Sequence, residues 1–333
     1  MTWPKKSSMP NNYASWSVSI QDFWNITDER EKLCFLVRFA ILAPSTHNSQ
    51  PWKFHIDNNT ITIEPDLSRA LRVSDPHNRH LLISLGCALE NILIAADYYG
   101  YKTTVDGLKV TFSKSNPSSD KNHLIFSIPQ RRSNRNAYKT RMPDGAFQQV
   151  LSKLNSDNVH LSLVSDSEKK SAIIDILSKS RFLAFSNPAF RNELADYKRT
   201  NLTHSPTGMP GFTMGFSTLA SFFTSAVIRL VNIMKFIGKN EDRLFDATPL
   251  FCIVSSKDND QSAWVSIGRA VQRILLEAQR HGIASAVSAV PPVPQALQNI
   301  LGIQTRPQLF IRLGYTDIIP RHSPRLSTKN VMI

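Results

Sequence analysis

Two short segments carry the side chains with the clearest chemical use. The first spans residues 43–52, APSTHNSQPW, and lies between a predicted helix and a predicted strand with a proline near each end. Five small hydrogen-bonding side chains fall within six of its positions: Ser45, Thr46, Asn48, Ser49 and Gln50. Hydroxyl and amide groups in such an arc suit the polar edge of an aromatic ring, although a helix-ending turn that satisfies its own backbone explains the same composition. His47 has no second candidate ligand at metal spacing.

The second segment is basic. Residues 131–135 read RRSNR and lie in a stretch, residues 121–143, that holds six basic residues and no acidic one. In an extended chain Arg131, Ser133 and Arg135 point the same way, so two guanidinium groups and a hydroxyl could face one phosphate. A solvated basic loop is the alternative. A third cluster, residues 321–325, ends the chain with Arg321 and Arg325 and either completes such a phosphate site or only makes the tail soluble.

Several classes of protein lack their sequence signatures here. There is no GxGxxG, GxxxxGK[ST], HExxH or GxSxG motif, and no helix-turn-helix or RNA-recognition pattern. The three cysteines are isolated in apolar stretches, which favours buried thiols in a reducing compartment over disulfides or zinc. A chain of 333 residues can bury two ordinary cores, and its formal charge of +13 implies attraction to an anion.

The segments that must position these side chains alternate between helix and strand. Residues 28–43 and 78–99 predict helices, and residues 52–56 and 60–64 predict a hairpin around an Asn-Asn turn. Further elements follow along the chain: strands at 102–112, 123–129, 159–164, 250–255 and 308–313, and helices at 146–154, 168–185 and 263–281. Interleaved segments of both kinds indicate an α+β or α/β protein.

One long helix resembles another further along the chain. At an offset of 182 residues, LISLG at 82–86 aligns with WVSIG at 264–268, and the match continues without a gap to Gly100 and Gly282. Apolar periodicity alone produces some of these matches, but the paired serines and glycines are harder to explain that way. We therefore predict a duplicated α+β unit whose two helices pack back to back, with ligand sites at the seam.

Residues 219–237 form the most membrane-like stretch. Their apolar side chains recur at helical spacing, but Arg229 and Lys235 interrupt them and the segment is barely long enough to span a bilayer. A transmembrane helix and an interfacial helix are alternatives, and we predict an amphipathic helix that packs on its own protein. The N-terminal residues lack the apolar core of a secretory signal, so we expect a cytoplasmic protein.

Together these motifs resemble the nitroreductase family. APSTHNSQPW is similar to the family's flavin-edge loop, and RRSNR is similar to its Arg-Arg-Ser-x-Arg phosphate motif. The loop precedes the phosphate motif here, the reverse of the usual order, and this order resembles the Acg-like branch, in which one chain is a fused pseudo-dimer. RLGY at 312–315 and SPR at 323–325 also resemble that branch. The resemblance implies an α+β nitroreductase-like fold duplicated within one chain, with mixed or antiparallel sheets packed on long central helices.

The resemblance also implies a cofactor, flavin mononucleotide (FMN), with one molecule per chain because each half has lost the motif that the other keeps. It implies these FMN-binding residues: Pro44, Ser45, Thr46, Asn48, Gln50, Arg131, Arg132, Ser133, Arg135, Ala289, Val290, Arg321 and Arg325. Lys198 or Arg199 would approach the ligand. The string AVPP at 289–292 departs from the branch's pattern, which has a Gln-Pro-Val-Glu-like string there.

The expected activity is that of an oxidoreductase that takes hydride from NADH or NADPH and reduces a nitroaromatic, quinone or similar small molecule. No catalytic side chain and no metal are expected, because the flavin itself carries the chemistry. The alternative is a flavin-sequestering protein with little turnover, whose residues 200–246 cover the flavin as a lid. The expected domains are an extension at 1–27 and halves at 28–130 and 131–333. We expect neither nucleic acid nor membrane as partner, and either a monomeric pseudo-dimer or a further homodimer.

Overall fold

The computed structural model describes residues 11–114, 122–289 and 294–333. The helices are α1 Glu29–Ala40, α2 Arg79–Tyr98, α3 Gly145–Ser152, α4 Ser167–Ser186, α5 Pro188–Asp196, α6 Thr218–Leu230, α7 Met234–Asp246, α8 Gln261–Arg280 and α9 Pro294–Leu301. The strands are β1 Trp52–Asp57, β2 Thr60–Pro65, β3 Tyr101–Asp106, β4 Lys109–Lys114, β5 Val159–Val164, β6 Lys198–Arg199, β7 Met209–Pro210, β8 Leu250–Ser256, β9 Ala284–Ala289 and β10 Arg306–Gly314.

The two larger sheets have the same topology. The first is ordered β1-β2-β4-β3 and the second β5-β8-β10-β9, and all neighbours in both are antiparallel. In each half a helix precedes the first strand, and a 20-residue helix, α2 or α8, connects the second strand to the third. The second half differs by insertions, with α4 to α7 between its first two strands and α9 before its last. The chain is therefore an α+β protein with one topology used twice.

The two 20-residue helices pack against each other through one glycine from each. A Cβ atom added to Gly86 would lie 2.2 Å from the carbonyl oxygen of Val265, and one added to Gly268 would lie 2.1 Å from that of Ile83. Ile83 and Val265, like Gly86 and Gly268, are separated by the offset of 182 residues that relates the two helices in the sequence. Such a reciprocal contact is the one that a two-fold axis between the helices requires.

Helix α2 forms the centre of the protein. It is long and apolar enough to span a membrane by length and composition, and 89% of its most apolar window is buried inside the protein. Burial on nearly all sides is the property of a core helix. Its last turn ends at Gly100, whose φ of 83° lies in the left-handed region that glycine adopts without strain.

The local signals that mark most of these elements agree with the structure. Asp28 caps α1 by accepting a hydrogen bond from the backbone N–H of Glu31 at 2.8 Å. The hairpin of β1 and β2 turns at Asn58, whose φ is 49°. The predicted helix at 263–281 corresponds to α8, which ends one residue earlier, and the predicted strand at 308–313 lies within β10.

Three predictions are wrong. Residues 102–112 form two strands that turn at Gly107, since Asp-Gly favours a tight turn. Residues 123–129 contain the 3₁₀ helix His123–Ser127 instead of a strand, because Asn122 caps it and it packs on α2 and α8. Residues 219–237 form two helices, α6 and α7, bent by 113°, and the apolar face of α6 points away from the protein.

Candidate functional site

Residues from both halves of the chain line one cavity. It lies where four segments meet: the loop after α1, the RRSNR segment, the insertion between β5 and β8, and the C-terminal tail. The insertion between β5 and β8 is called the insertion below. Nine of the residues predicted for the cofactor site line it: Pro44, Ser45, Asn48, Arg131, Arg132, Ser133, Arg135, Arg321 and Arg325. The two sequence segments and the tail cluster, up to 281 residues apart in the chain, therefore belong to one site.

The loop after α1 has a strained backbone. His47, Asn48 and Gln50 all adopt a left-handed conformation with φ between 54° and 55°, which is costly for residues other than glycine. The hydroxyl of Ser45 accepts a hydrogen bond from the backbone N–H of Gln50 at 2.9 Å and closes the arc. Strain of this kind persists only where the surroundings enforce it, and it concentrates at binding sites.

Two arginines are buried beside the cavity without an acidic partner. Arg131 is 3% exposed and Arg325 is 4% exposed, and neither makes an ion pair within the described residues. Burial lowers the pKa of Arg131 to about 10, and burial, with the charge of Arg131 second, lowers the pKa of Arg325 well below its usual value. Two buried cations that repel each other indicate a site for an anion.

Protein carbonyls position these two guanidinium groups. Arg131 donates to the carbonyl oxygen of Leu42 at 3.2 Å, and Arg325 donates to the carbonyl oxygen of Ala43 at 3.3 Å and to Oδ1 of Asn48 at 2.5 Å. The Nε atom of each arginine is buried with no hydrogen-bond partner. Each side chain is thus fixed on the protein while part of its donor capacity remains unused.

The RRSNR segment is attached to the edge of the second sheet. Ser133 forms an isolated parallel bridge with Ser285, at the start of β9. The neighbouring Asn134 donates its backbone N–H to the carbonyl oxygen of Ser285 at 2.8 Å and its side-chain amide to that of Ile318 at 2.7 Å. These bonds hold the segment extended, as predicted for residues that present alternate side chains to a ligand.

Several residues of the cavity carried no signal in the sequence. The Trp16 ring stacks on His322 with centroids 4.0 Å apart, and the Arg325 guanidinium lies 4.6 Å above the Trp16 ring. Met209 and Thr213 reach the cavity from the insertion. Trp16 lies in the segment predicted to be an extension outside the two halves, so no motif pointed to it.

Two histidines line the cavity in the neutral state. Burial, and secondarily the neighbouring cations, lower the pKa of both His47 and His322 to about 3. The Nε2 atom of each is buried without a partner. No group of three His, Cys, Asp or Glu side chains suited to a metal occurs in the described ranges.

Three predicted site residues do not line the cavity. Gln50 is fully buried, and its amide is occupied: it donates to the carbonyl oxygen of Pro206 at 2.7 Å and accepts from the N–H of Leu326 at 2.9 Å. Thr46 and Ala289 lie elsewhere, Ala289 at the exposed end of β9. Val290 lies outside the described residues. The polar loop therefore has two roles: Ser45 and Asn48 line the cavity, whereas Gln50 holds the insertion and the tail in place.

The insertion covers the loop after α1. The backbone N–H of Gly208 donates to the carbonyl oxygen of Asn48 at 3.2 Å, and the Asn48 amide donates to the carbonyl oxygen of Gly208 at 3.0 Å. Gly208 has a φ of 87°, and a Cβ there would lie 2.6 Å from the carbonyl oxygen of Tyr197. Only glycine fits this contact, which closes one side of the cavity.

A buried lysine lies near the contact between Gly208 and Asn48. Lys198, in β6, is 7% exposed, and its Nζ contacts Sδ of Met214. Burial, and then the charge of Arg135, lower its pKa to about 7. Lys198 therefore changes its charge near neutral pH, beside a site that already holds several cations.

Changing Lys198 to Met is expected to flatten the pH dependence of stability. The unfolded lysine keeps its proton up to about pH 10.4, so between pH 7 and that value the unfolded state binds more protons and the free energy of unfolding rises with pH. From pH 7 to pH 9 the gain in the ligand-free protein should reach about 2 kcal/mol, and K198M should lose it. Urea unfolding at both pH values measures this. The control K153M, at an exposed lysine, should keep the gain, and an equal gain in K198M would show that the effect comes from other groups.

Comparison with known proteins gives matches along most of the chain. A family model described as the nitroreductase family matches residues 128–315. Two similar proteins come from Mycobacterium tuberculosis. "Putative NAD(P)H nitroreductase Rv3131" is 26% identical over 318 residues, and the match covers 87% of each chain. "Putative NAD(P)H nitroreductase acg" is 22% identical over 299 residues, and the match covers 84% of this chain and 87% of that one. A crystal structure of the FMN and NADPH-dependent nitroreductase NfnB from sphigopyxis sp. strain HMH matches with 14% identity and a TM-score of 0.43, over 63% of this chain and 97% of that one.

Proposed function

Because the chain belongs to the nitroreductase family, we propose that it is an FMN-dependent oxidoreductase that takes hydride from NADH or NADPH and reduces a small organic acceptor such as a nitroaromatic or a quinone. One observation carries the proposal. Arg131 and Arg325 are buried in one cavity, have no acidic partner among the described residues and keep unused N–H donors. A phosphate group supplies both the charge and the acceptors that these guanidinium groups lack.

The residues of the cavity fit FMN. Arg131 and Arg325 would hold its phosphate, with Arg132, Ser133, Arg135 and Arg321 at the rim. The strained loop at 44–48, which comes from the other half of the chain, would contact the ribityl chain and the ring. When bound, the flavin supplies two-electron chemistry by accepting a hydride and passing the electrons on.

The chain's own residues contribute binding, orientation and charge. The cations favour any state in which the ligand carries more negative charge, because the low polarity of a buried site strengthens their attraction. The insertion excludes water from one side through its contacts with Asn48. His47 and His322 stay neutral at physiological pH and add no further cation to the site.

Mixing the purified, flavin-loaded protein with NADH or NADPH in the absence of oxygen tests the proposal. We expect at least one donor to bleach the oxidised flavin spectrum, and a nitroaromatic or quinone to restore it. An absorbance spectrum without flavin, after reconstitution with FMN, would contradict the cofactor. A flavin spectrum that neither donor bleaches would contradict the reductase activity and leave the cofactor proposal standing.

A second function is favoured by the cover over the loop. The two hydrogen bonds between Gly208 and Asn48, and the one from the Gln50 amide to the carbonyl oxygen of Pro206, hold the insertion on the loop that would contact the flavin. A permanently closed cover would make the protein a store for FMN with little turnover. The same experiment separates the two functions, since a stored flavin would resist both donors.

The repeated topology and the reciprocal glycine contact support a duplicated unit, with halves at 28–130 and 131–333, an extension at 1–27 and a cover at 200–246. The site takes its loop from one half and its arginines from the other, which supports one FMN per chain. The chain would act as a monomeric pseudo-dimer or pair again. All three cysteines are free thiols, which supports a reducing compartment such as the cytoplasm.

A further inference from the structure

Helix α6 has its apolar side in the solvent. Five large apolar side chains of this helix are exposed, from 45% for Val227 to 80% for Leu230: Leu219, Phe222, Phe223, Val227 and Leu230. Their positions, i, i+3, i+4, i+8 and i+11, form one continuous stripe. Isolated exposed apolar residues are ordinary, but a stripe with two phenylalanines marks an interaction surface.

The opposite side of α6 faces the protein and buries Ser221, Thr224 and Ile228. The Ser221 hydroxyl accepts from the backbone N–H of Asn201 at 3.0 Å, and the Ser225 hydroxyl donates to the carbonyl oxygen of Ala195 at 3.1 Å. A Cβ on Gly211 would lie 2.6 Å from Cβ of Ser221, so the packing is tight. Rotating the helix to bury its apolar stripe would break these contacts, and the outward orientation is therefore built into the fold.

The apolar surface extends beyond α6. Phe236, in α7, is 74% exposed, and Leu183, in α4, is 68% exposed. The Asn232 amide donates to the carbonyl oxygen of Phe182 and to the hydroxyl of Ser186, and thereby joins the α6–α7 bend to α4. The docking face is defined here as the stripe of α6 together with Leu183 and Phe236.

The unpaired charges at the docking face are positive. The acidic side chains of α7 nearest to it, Glu241 and Asp242, are already paired with Arg181. Arg229 pairs with Asp196, whereas Lys235 and Lys239 are exposed and make no ion pair within the described part of the chain. The whole chain carries +13, far more than one phosphate group neutralises. The partner of this face is therefore expected to be anionic as well as apolar.

A second copy of the chain meets this requirement poorly. In a two-fold dimer the same surface is used on both subunits, so Lys235 and Lys239 of each copy would face a surface whose nearby acidic side chains, Asp196, Glu241 and Asp242, are already paired with arginines of their own chain. A bilayer with anionic headgroups meets it well, because aromatic and aliphatic side chains enter the interface while lysines remain at the phosphates.

We propose that the docking face binds the surface of an anionic lipid bilayer, with α6 lying in the plane of the headgroups. The proposal differs from the expectation, drawn from the sequence, of a protein without a membrane partner. The proposal does not depend on flavin, since no residue of the docking face lines the cavity.

Sedimentation of the full-length protein with lipid vesicles tests it. We expect binding to vesicles of phosphatidylcholine mixed with phosphatidylglycerol and roughly tenfold weaker binding, or less, to phosphatidylcholine alone. The double variant F222S/F223S should lose roughly tenfold or more in partitioning. The variant K235Q/K239Q should weaken binding to anionic vesicles and reduce its dependence on salt. The control L67S removes an exposed leucine outside the face and should bind as the wild type does.

Two results would overturn the proposal. One is equal sedimentation of wild type and F222S/F223S with anionic vesicles, which would mean that the apolar stripe takes no part. The other is a wild-type dimer in analytical ultracentrifugation that F222S/F223S converts to monomer, which would assign the face to a second copy. Because Phe222 and Phe223 are exposed, the variant F222S/F223S should keep the wild-type unfolding temperature, and a thermal melt checks this.

Discussion

Arg131→Met is expected to weaken FMN binding by roughly 100-fold while leaving the ligand-free protein as stable as the wild type or more stable. Two charge-assisted hydrogen bonds to a phosphate account for a loss of this size. The stability should not fall, because the variant removes a buried cation that repels Arg325. The carbonyl of Leu42 loses one donor but keeps Arg325 within 3.5 Å. Quenching of flavin fluorescence measures affinity, and urea unfolding measures stability.

Riboflavin makes this prediction specific to the phosphate. It lacks that group, so R131M should bind riboflavin about as well as the wild-type protein does. The control R280M removes an arginine at the end of α8, which is paired with Glu277, and should leave both affinities unchanged. If R131M kept its FMN affinity and lost stability instead, Arg131 would be a structural residue and the phosphate site would lie elsewhere.

Placing alanine at Gly86 or at Gly268 is expected to lower the free energy of unfolding by about 3 kcal/mol or more. Either Cβ would overlap a backbone carbonyl of the facing helix, at 2.2 Å from Val265 or 2.1 Å from Ile83, and a backbone cannot move aside as a side chain does. Helices α2 and α8 must then separate. Because the cavity takes residues from both halves, we expect weaker FMN binding in both variants, measured together with urea unfolding.

The double variant G86A/G268A tests the reciprocity of this contact. The first alanine already separates the helices, so the second should destabilise the protein less than it does alone. The free energy of unfolding that G86A/G268A loses should therefore be smaller than the sum of the losses in the two single variants. The control G238A changes a glycine of α7 at which an added Cβ would have open space around it. This variant should stabilise the protein by about 0.5–1 kcal/mol. Losses that are unequal and additive would contradict a two-fold contact between the helices.

The residues that line the cavity were largely predictable because their chemistry is local in sequence. RRSNR at 131–135 and the polar loop after α1 are unusual as strings, and nine residues predicted from them and from the tail line one cavity. The long helices were predictable for the same reason, since their periodicity extends over 20 residues. Their reciprocal contact could be anticipated only by comparing two distant parts of the chain.

Other features depend on tertiary contacts and left no local signal. The role of Gln50 depends on Pro206 and Leu326, which are remote in sequence, so its amide was expected at the ligand and is used within the protein. The periodicity of α6 correctly indicated an amphipathic helix but could not indicate which side faces the protein. That choice is made by Asn201 and Ala195, which bond to its serines.

A cavity lined by segments that belong to both copies of the repeated topology changes how the protein can vary. In a homodimer every substitution occurs in both subunits, so it changes both sites at once. A change that helps a position in one subunit must also be tolerated at the same position in the other subunit. Here the loop at 44–48 and the arginines at 131–135 belong to different copies of one topology. Each copy can accumulate substitutions of its own, such as the long insertion that only the second half contains.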